Sequence, residues 1–113
     1  LSVDVLQLTK ELRAKHENVI SNQIGRSATS ICANIAESKY GHSRADFIAK
    51  LEIALKESYE TDYWLEILYK TNSIDKETYI RLLNKCGSIR RKLIASITTA
   101  KTSFEQQSGG TTK

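Results

Sequence analysis

No proline interrupts the 113 residues of this chain. Proline ends or kinks helices more than any other residue, because its ring removes an N–H and clashes with the preceding turn. A chain without it is free to run in long helices, and here the apolar residues fall where helices need them. Leu1, Val5, Leu8 and Leu12 are spaced by four, three and four, as are Ile24, Ala28, Ile31 and Ile35. Leu82, Cys86, Ile89, Leu93, Ile97, Ala100 and Phe104 follow one another by threes and fours. Each series draws one stripe on a helix of 3.6 residues per turn. No strand alternation, internal repeat or low-complexity block competes with that pattern.

The punctuation between stripes predicts four helices, at about 2–15, 22–40, 43–70 and 75–104. Ser21 or Asn22 can accept an orphan N–H at the start of the second helix. Gly41-His42 breaks it, and Ser43-Arg44-Ala45-Asp46 resembles a capping box opening the third. Thr71-Asn72-Ser73 is turn chemistry. Asp75 then caps the fourth helix, with Ile74 and Tyr79 placed as a hydrophobic staple. Short connections between successive helices make neighbours antiparallel, so residues 1–105 are expected to form one all-α domain, an up-down-up-down four-helix bundle. Residues 106–113 are polar, with Gly109 and Gly110 and no apolar anchor, and are expected to be a disordered tail.

The second and third helices carry more than a monomeric bundle needs. Opposite the first stripe of the second helix lie Arg26, Ser30, Ala33 and Glu37. On the third, Phe47, Leu51, Ala54, Ser58 and Leu65 make one stripe, while Ala49, Ile53, Glu60, Trp64 and Ile67 make another. The polar face of the second helix alone reads as an ordinary solvated surface. Trp64, Ile53 and Ile67 on the third shift the reading towards self-association, because an apolar patch containing Trp usually marks an interface. The small residues of "SICANIAESKYG" fit this picture, since they let neighbouring backbones approach from more than one side.

Arg90 projects into the apolar arc of the last helix. Either it pairs with a carboxylate, Glu37, Glu60 or Asp62, or its stem packs and its head reaches water. The surrounding segment is basic. From Lys76 to Lys101 seven basic residues stand against one acid, a net of +6, whereas residues 43–71 carry −2. Arg81, Lys85 and Lys92 share one side of the fourth helix and, with Arg91, make a candidate phosphate-facing surface. The alternative is a solvated face that only keeps the protein soluble. No aromatic residues interleave with the stripe, so base stacking and sequence-specific reading are not expected.

Catalytic patterns are missing from the sequence. It has no Gly-rich phosphate loop, no Glu-x-x-His pair and no His-Glu-x-x-His. His16 and His42 both fall in predicted connections. Two cysteines, Cys32 and Cys86, give no metal framework and at most one bridge, and both sit at apolar helical positions where a free thiol packs as a small hydrophobe. A reduced, cytoplasmic protein without cofactor or metal is expected. No run of about 18 apolar residues suggests a membrane span. The start, Leu1-Ser2-Val3-Asp4, shows neither the basic nor the apolar region of a secretory signal.

The stretches "QIGRSATSICANIAES" and "SRADFIAKLEIALKESYET" resemble the two characteristic elements of the four-helix-bundle proteins encoded in intervening sequences of bacterial large-subunit ribosomal RNA genes. The matching positions include Gln23, Arg26, Ser30, Asn34, Glu37, Ser43, Asp46, Phe47, Ser58 and Glu60. Cys32 stands where the family often has Pro, and Ser38 and Glu57 where it prefers Gly. The resemblance implies an antiparallel bundle assembled into a ring, a pentamer, with no known enzymatic activity. A related branch, the accessory variability proteins of diversity-generating retroelements, forms basic rings that bind nucleic acid and a reverse transcriptase.

Taken together, the expected function is that of a non-enzymatic homo-oligomeric scaffold binding RNA or DNA through Arg81, Lys85, Arg91 and Lys92. Its subunit interface is expected to draw on Arg26, Ser30, Ala33, Glu37, Ile53, Glu60, Trp64 and Ile67. The alternative is an oligomer that binds protein only.

Overall fold

The structure is a computed structural model that describes the backbone of residues 1–14 and 18–112, with side chains over 1–12 and 18–103. It is an all-α four-helix bundle: α1 Ser2–Ala14, α2 Asn18–Ser38, α3 Arg44–Lys70 and α4 Lys76–Thr112. His16 and the Phe104 side chain lie outside the described residues.

Contacts between successive helices run in opposite chain directions. Close to their connection, Glu37 of α2 meets Lys50 of α3 at 2.9 Å, whereas farther away Ser27 hydrogen-bonds Thr61, also at 2.9 Å. On α3 and α4 the Tyr69 and Tyr79 rings stack near the turn at 4.5 Å, and Glu52 reaches Lys101 at 3.2 Å towards the other end. α1 returns along α2: Ser2 Oγ donates to the Ala28 carbonyl at 3.3 Å, while a Cβ placed on Gly25 would lie 3.4 Å from the Thr9 methyl. Small residues at Gly25, Ser27 and Ala28 therefore bring two neighbours close to α2.

The caps expected for α3 and α4 are present. Ser43 accepts from the Asp46 N–H at 3.1 Å, and Asp75 Oδ1 accepts from the Thr78 N–H at 2.7 Å. Asn72 takes the left-handed conformation, φ 60°, which ends α3 and lets the Ser73 N–H donate to the Leu68 carbonyl at 2.8 Å. The start of α2 differs from the reading of the sequence. The helix begins at Asn18, so Ser21 is not its cap but a fully buried residue of its first turns. A Ser among helix formers reads as a cap, and here packing selects it for its size. At the other end, the α4 backbone continues helical to Thr112, through the stretch whose composition suggests a tail.

α1, with 13 residues, packs along part of the 21-residue α2. In one half, Val5, Leu8 and Leu12 of α1 close a four-helix core with Ile24, Ala28, Leu65, Leu68 and Leu82. In the other, α2, α3 and α4 alone supply the buried residues: Ile31, Leu51, Ala54, Cys86, Leu93 and Ile97. Each buried aliphatic side chain contributes about 1.5–3 kcal/mol. The molecule measures 61 × 23 × 17 Å.

Candidate interaction surfaces

Polar residues of α2 and α3 meet on the outside of that helix pair. Arg26 sits between two carboxylates, bridging to Glu57 at 3.2 Å and directly contacting Glu60. Glu60 also accepts from the Trp64 indole N–H at 3.3 Å, and Tyr63 packs its ring edge-on to Trp64 with centroids 5.1 Å apart. Arg26, Glu60 and Trp64 thus form one cluster, with Glu57 as a member that the wheel did not suggest. Trp64 is half-buried and packs in part against its own subunit's core. It sits at the shoulder of the second stripe of α3, so one edge of the indole goes inward. Ile67 is likewise half-buried, Ile53 is 42% exposed, and Ala33 is exposed. Ser30 is half-buried and accepts from Asn34 at 3.1 Å, and Glu37 is drawn to Lys50.

On α4, the four cations expected to face phosphate divide into two pairs. Arg81 and Lys85 both reach Asp4 of α1, at 3.8 and 2.5 Å. The hydrogen bond from Lys85 holds the Asp4 carboxyl below its ordinary 3.8, with the charges of Lys85 and Arg81 adding to the effect. Arg91 and Lys92 are exposed and make no ion pair with the described residues. Asp4 lies 81 residues from Lys85 in sequence, and its only sequence signal is its place on the edge of the α1 stripe.

Arg90 resolves between its two readings in favour of the pair. Its guanidinium meets Asp62 at 2.5 Å, donates to the Ser58 carbonyl at 2.9 Å and to Ser58 Oγ at 3.0 Å, and lies 4.4 Å over the Tyr59 ring. Of the three carboxylates the sequence offered, Asp62 is the partner, because Glu60 turns to Arg26 and Glu37 to Lys50. Cys86 lies beneath this network, and burial pushes its thiol up to about 12, so it stays protonated and unreactive at neutral pH. Both cysteines are free, Cys32 exposed and Cys86 buried.

Among the described residues no three His, Cys, Asp or Glu side chains converge as a metal site, and no helix is long and apolar enough to cross a membrane. A cleft of about 410 Å³ at the α1/α4 corner is lined in part by Glu11, Asn72, Ser73 and Asp75, but Asp75 is engaged as a helix cap. The clustered polar and charged side chains lie on helix faces, so the class that fold and surface define is an all-α four-helix bundle.

The chain belongs to the 23S rRNA-intervening sequence protein family, whose sequence profile matches residues 1–95. It is similar to a protein of unknown function from the S23 ribosomal protein family of Bacteroides thetaiotaomicron, known from its crystal structure. The two share 47% identity and a TM-score of 0.83 over 85% of this chain and 90% of that one. No curated protein matches the chain at a significant level.

Proposed function

We propose that the protein is a non-enzymatic, homo-oligomeric scaffold of the cytoplasm that binds RNA or DNA through phosphate contacts. The observation that carries this reading is the charge of α4. Its residues 76–101 hold a net +6, and the single carboxylate of Asp4 is shared between Arg81 and Lys85, leaving their combined charge positive. Arg91 and Lys92 stand exposed beside them. Repeated around an assembly, that face sums to a field able to hold a polyanion without reading bases. The exposed Ile53 and the Arg26–Glu60–Trp64 cluster support association of subunits through the α2/α3 side. A ring of five is what the family resemblance implies for this assembly, and a reverse transcriptase as protein partner is what the related retroelement branch suggests by analogy. Two free thiols suit a reducing compartment.

The Asp4 pairing also favours a second reading. Two of the four cations hold α1 in place, so their positive charge has a structural use, and the oligomer could bind protein alone. Filter binding of labelled RNA and DNA to the assembled protein separates the two. Phosphate binding predicts affinity that falls steeply with salt, and an Arg91→Glu, Lys92→Glu variant that binds at least about tenfold more weakly. Absence of binding at low salt, or affinity indifferent to salt, refutes the first reading in favour of the second.

A further inference from the structure

Arg81, Lys85 and Lys92 share one side of α4, and at 1.5 Å per residue their row runs roughly 16 Å. Its first two members face α1: the Asp4 carboxylate lies 2.5 Å from Lys85 Nζ and 3.8 Å from Arg81 Nη1. A phosphate chain laid along that side therefore meets a carboxylate at the place where two of the three cations should receive it. Either that part of the row goes unused, or Asp4 gives way. All three heads are within reach of water, since the Arg81 and Lys85 side chains are 49% and 47% exposed and that of Asp4 31%. Ion pairs so exposed are weak. A polyanion, which gains counterion release at every phosphate it seats, has the means to displace one carboxylate.

We propose that α1 is a latch on this row: Asp4 occupies Arg81 and Lys85 in the free protein, and the Asp4 end of α1 lifts from α4 when a single-stranded nucleic acid takes all three cations. The latch rests on the phosphate-binding reading above and adds a condition to it. The two sides of α1 are held differently. Val5, Leu8 and Leu12 fix it in the core, and Ser2 ties it to α2 through the Ala28 carbonyl and Cys32 Sγ. Towards α4, the tie at Asp4 is ionic and half in water, so it can be exchanged for another anion without opening the core. The coupling is mutual. Whatever factor the Asp4 pairs take from the affinity for a polyanion, the bound polyanion takes from the hold of α1 on α4.

Labelled oligouridylate at low salt is the probe, read by anisotropy. Asp4→Asn should bind it at least about threefold more tightly than the wild type, the scale of an exposed ion pair. The gain should exceed that of Glu77→Gln, which removes the same charge from the first turn of α4 without touching the Asp4 pairs. A staple tests the movement itself. Ser2 Oγ lies 2.7 Å from Cys32 Sγ, so Ser2→Cys is placed to form a disulfide with Cys32 that pins α1 to α2. Cys86, buried and with its thiol pushed up to about 12, stays out of the exchange. The stapled protein should bind oligouridylate more weakly than the same protein reduced, and adding Asp4→Asn should erase that difference. Equal gains from Asp4→Asn and Glu77→Gln, or an affinity indifferent to the staple, overturn the latch while phosphate binding stands. No binding by either the wild type or Asp4→Asn overturns both.

Discussion

Arg90 shows how one residue can hold two helices in register. Its guanidinium pairs with Asp62 Oδ2 and donates to the Ser58 hydroxyl and carbonyl at once, so truncating it leaves the Asp62 carboxylate, whose buried Oδ1 has no partner among the described residues, without its counter-ion. Arg90→Met should cost about 2 kcal/mol in urea unfolding, and most of that should return when Asp62→Leu is added, because the stranded carboxylate leaves with it. A double variant no better than the single one would place the cost in lost packing over Tyr59 instead. Asp4 makes a prediction with a pH sign. Its folded pKa lies below 3.8, so its pairing stabilises the fold fully above that value and fades as pH falls through the lowered one. The gap in urea midpoint between wild type and Asp4→Asn should therefore be present at pH 7 and narrow by pH 3. A gap as wide at pH 3 would show that α1 is not held by this carboxylate. The two residues also differ in legibility. Arg90 announces itself as a charge inside an apolar arc, which narrows its partner to a few carboxylates. Asp4 is an ordinary helix-edge acid whose partners lie on the far end of the chain.

At the scale of the helices, spacing was a reliable guide wherever one face had one neighbour. Val5, Leu8 and Leu12 are buried as the α1 stripe requires, and so are Ile24, Ala28 and Ile31 on α2. The caps at Ser43 and Asp75 were equally visible, because a capping side chain and its N–H are three residues apart. Ser43→Ala should lower stability by about 1 kcal/mol through the orphaned Asp46 N–H, measurable as a shift in the urea midpoint without loss of helicity. What periodicity did not reveal has a common cause. Ile35, Phe47 and Ile89 continue their stripes yet are only half-buried, since burial depends on which neighbouring helix lies over a face and not on the helix that carries it. Ser21 misled for the opposite reason: its local pattern is that of a cap, while a neighbouring helix decides that a small side chain must be buried there. Trp64 sits between two stripes, and a wheel of ideal angles assigns it to one side when the indole in fact spans both.

For the whole molecule the decisive matter is which faces one copy leaves for another. A closed ring with an odd number of subunits needs two different surfaces that meet head to tail, because a two-fold contact can only pair copies. The α2/α3 side, with Ile53 exposed above the Arg26–Glu60–Trp64 cluster, offers one such surface. If it serves in the assembly, light scattering should give a mass several times the 12.7 kDa of the chain, five times for a pentamer. Trp64→Asp should then reduce it to the single-chain value. That variant also removes packing from the subunit's own core, so a folding defect could mimic dissociation. Ile53→Glu separates the two effects: its side chain is 42% exposed, so the substitution should leave helicity and the urea midpoint of the subunit nearly unchanged while placing a carboxylate in the contact. Dissociation by both variants, with helicity kept, places α3 in the interface. A folded Ile53→Glu and a folded Trp64→Asp that both retain the wild-type mass would move assembly to another face. The basic side of α4 would then have to be weighed as a contact between copies before being weighed as a site for anything else.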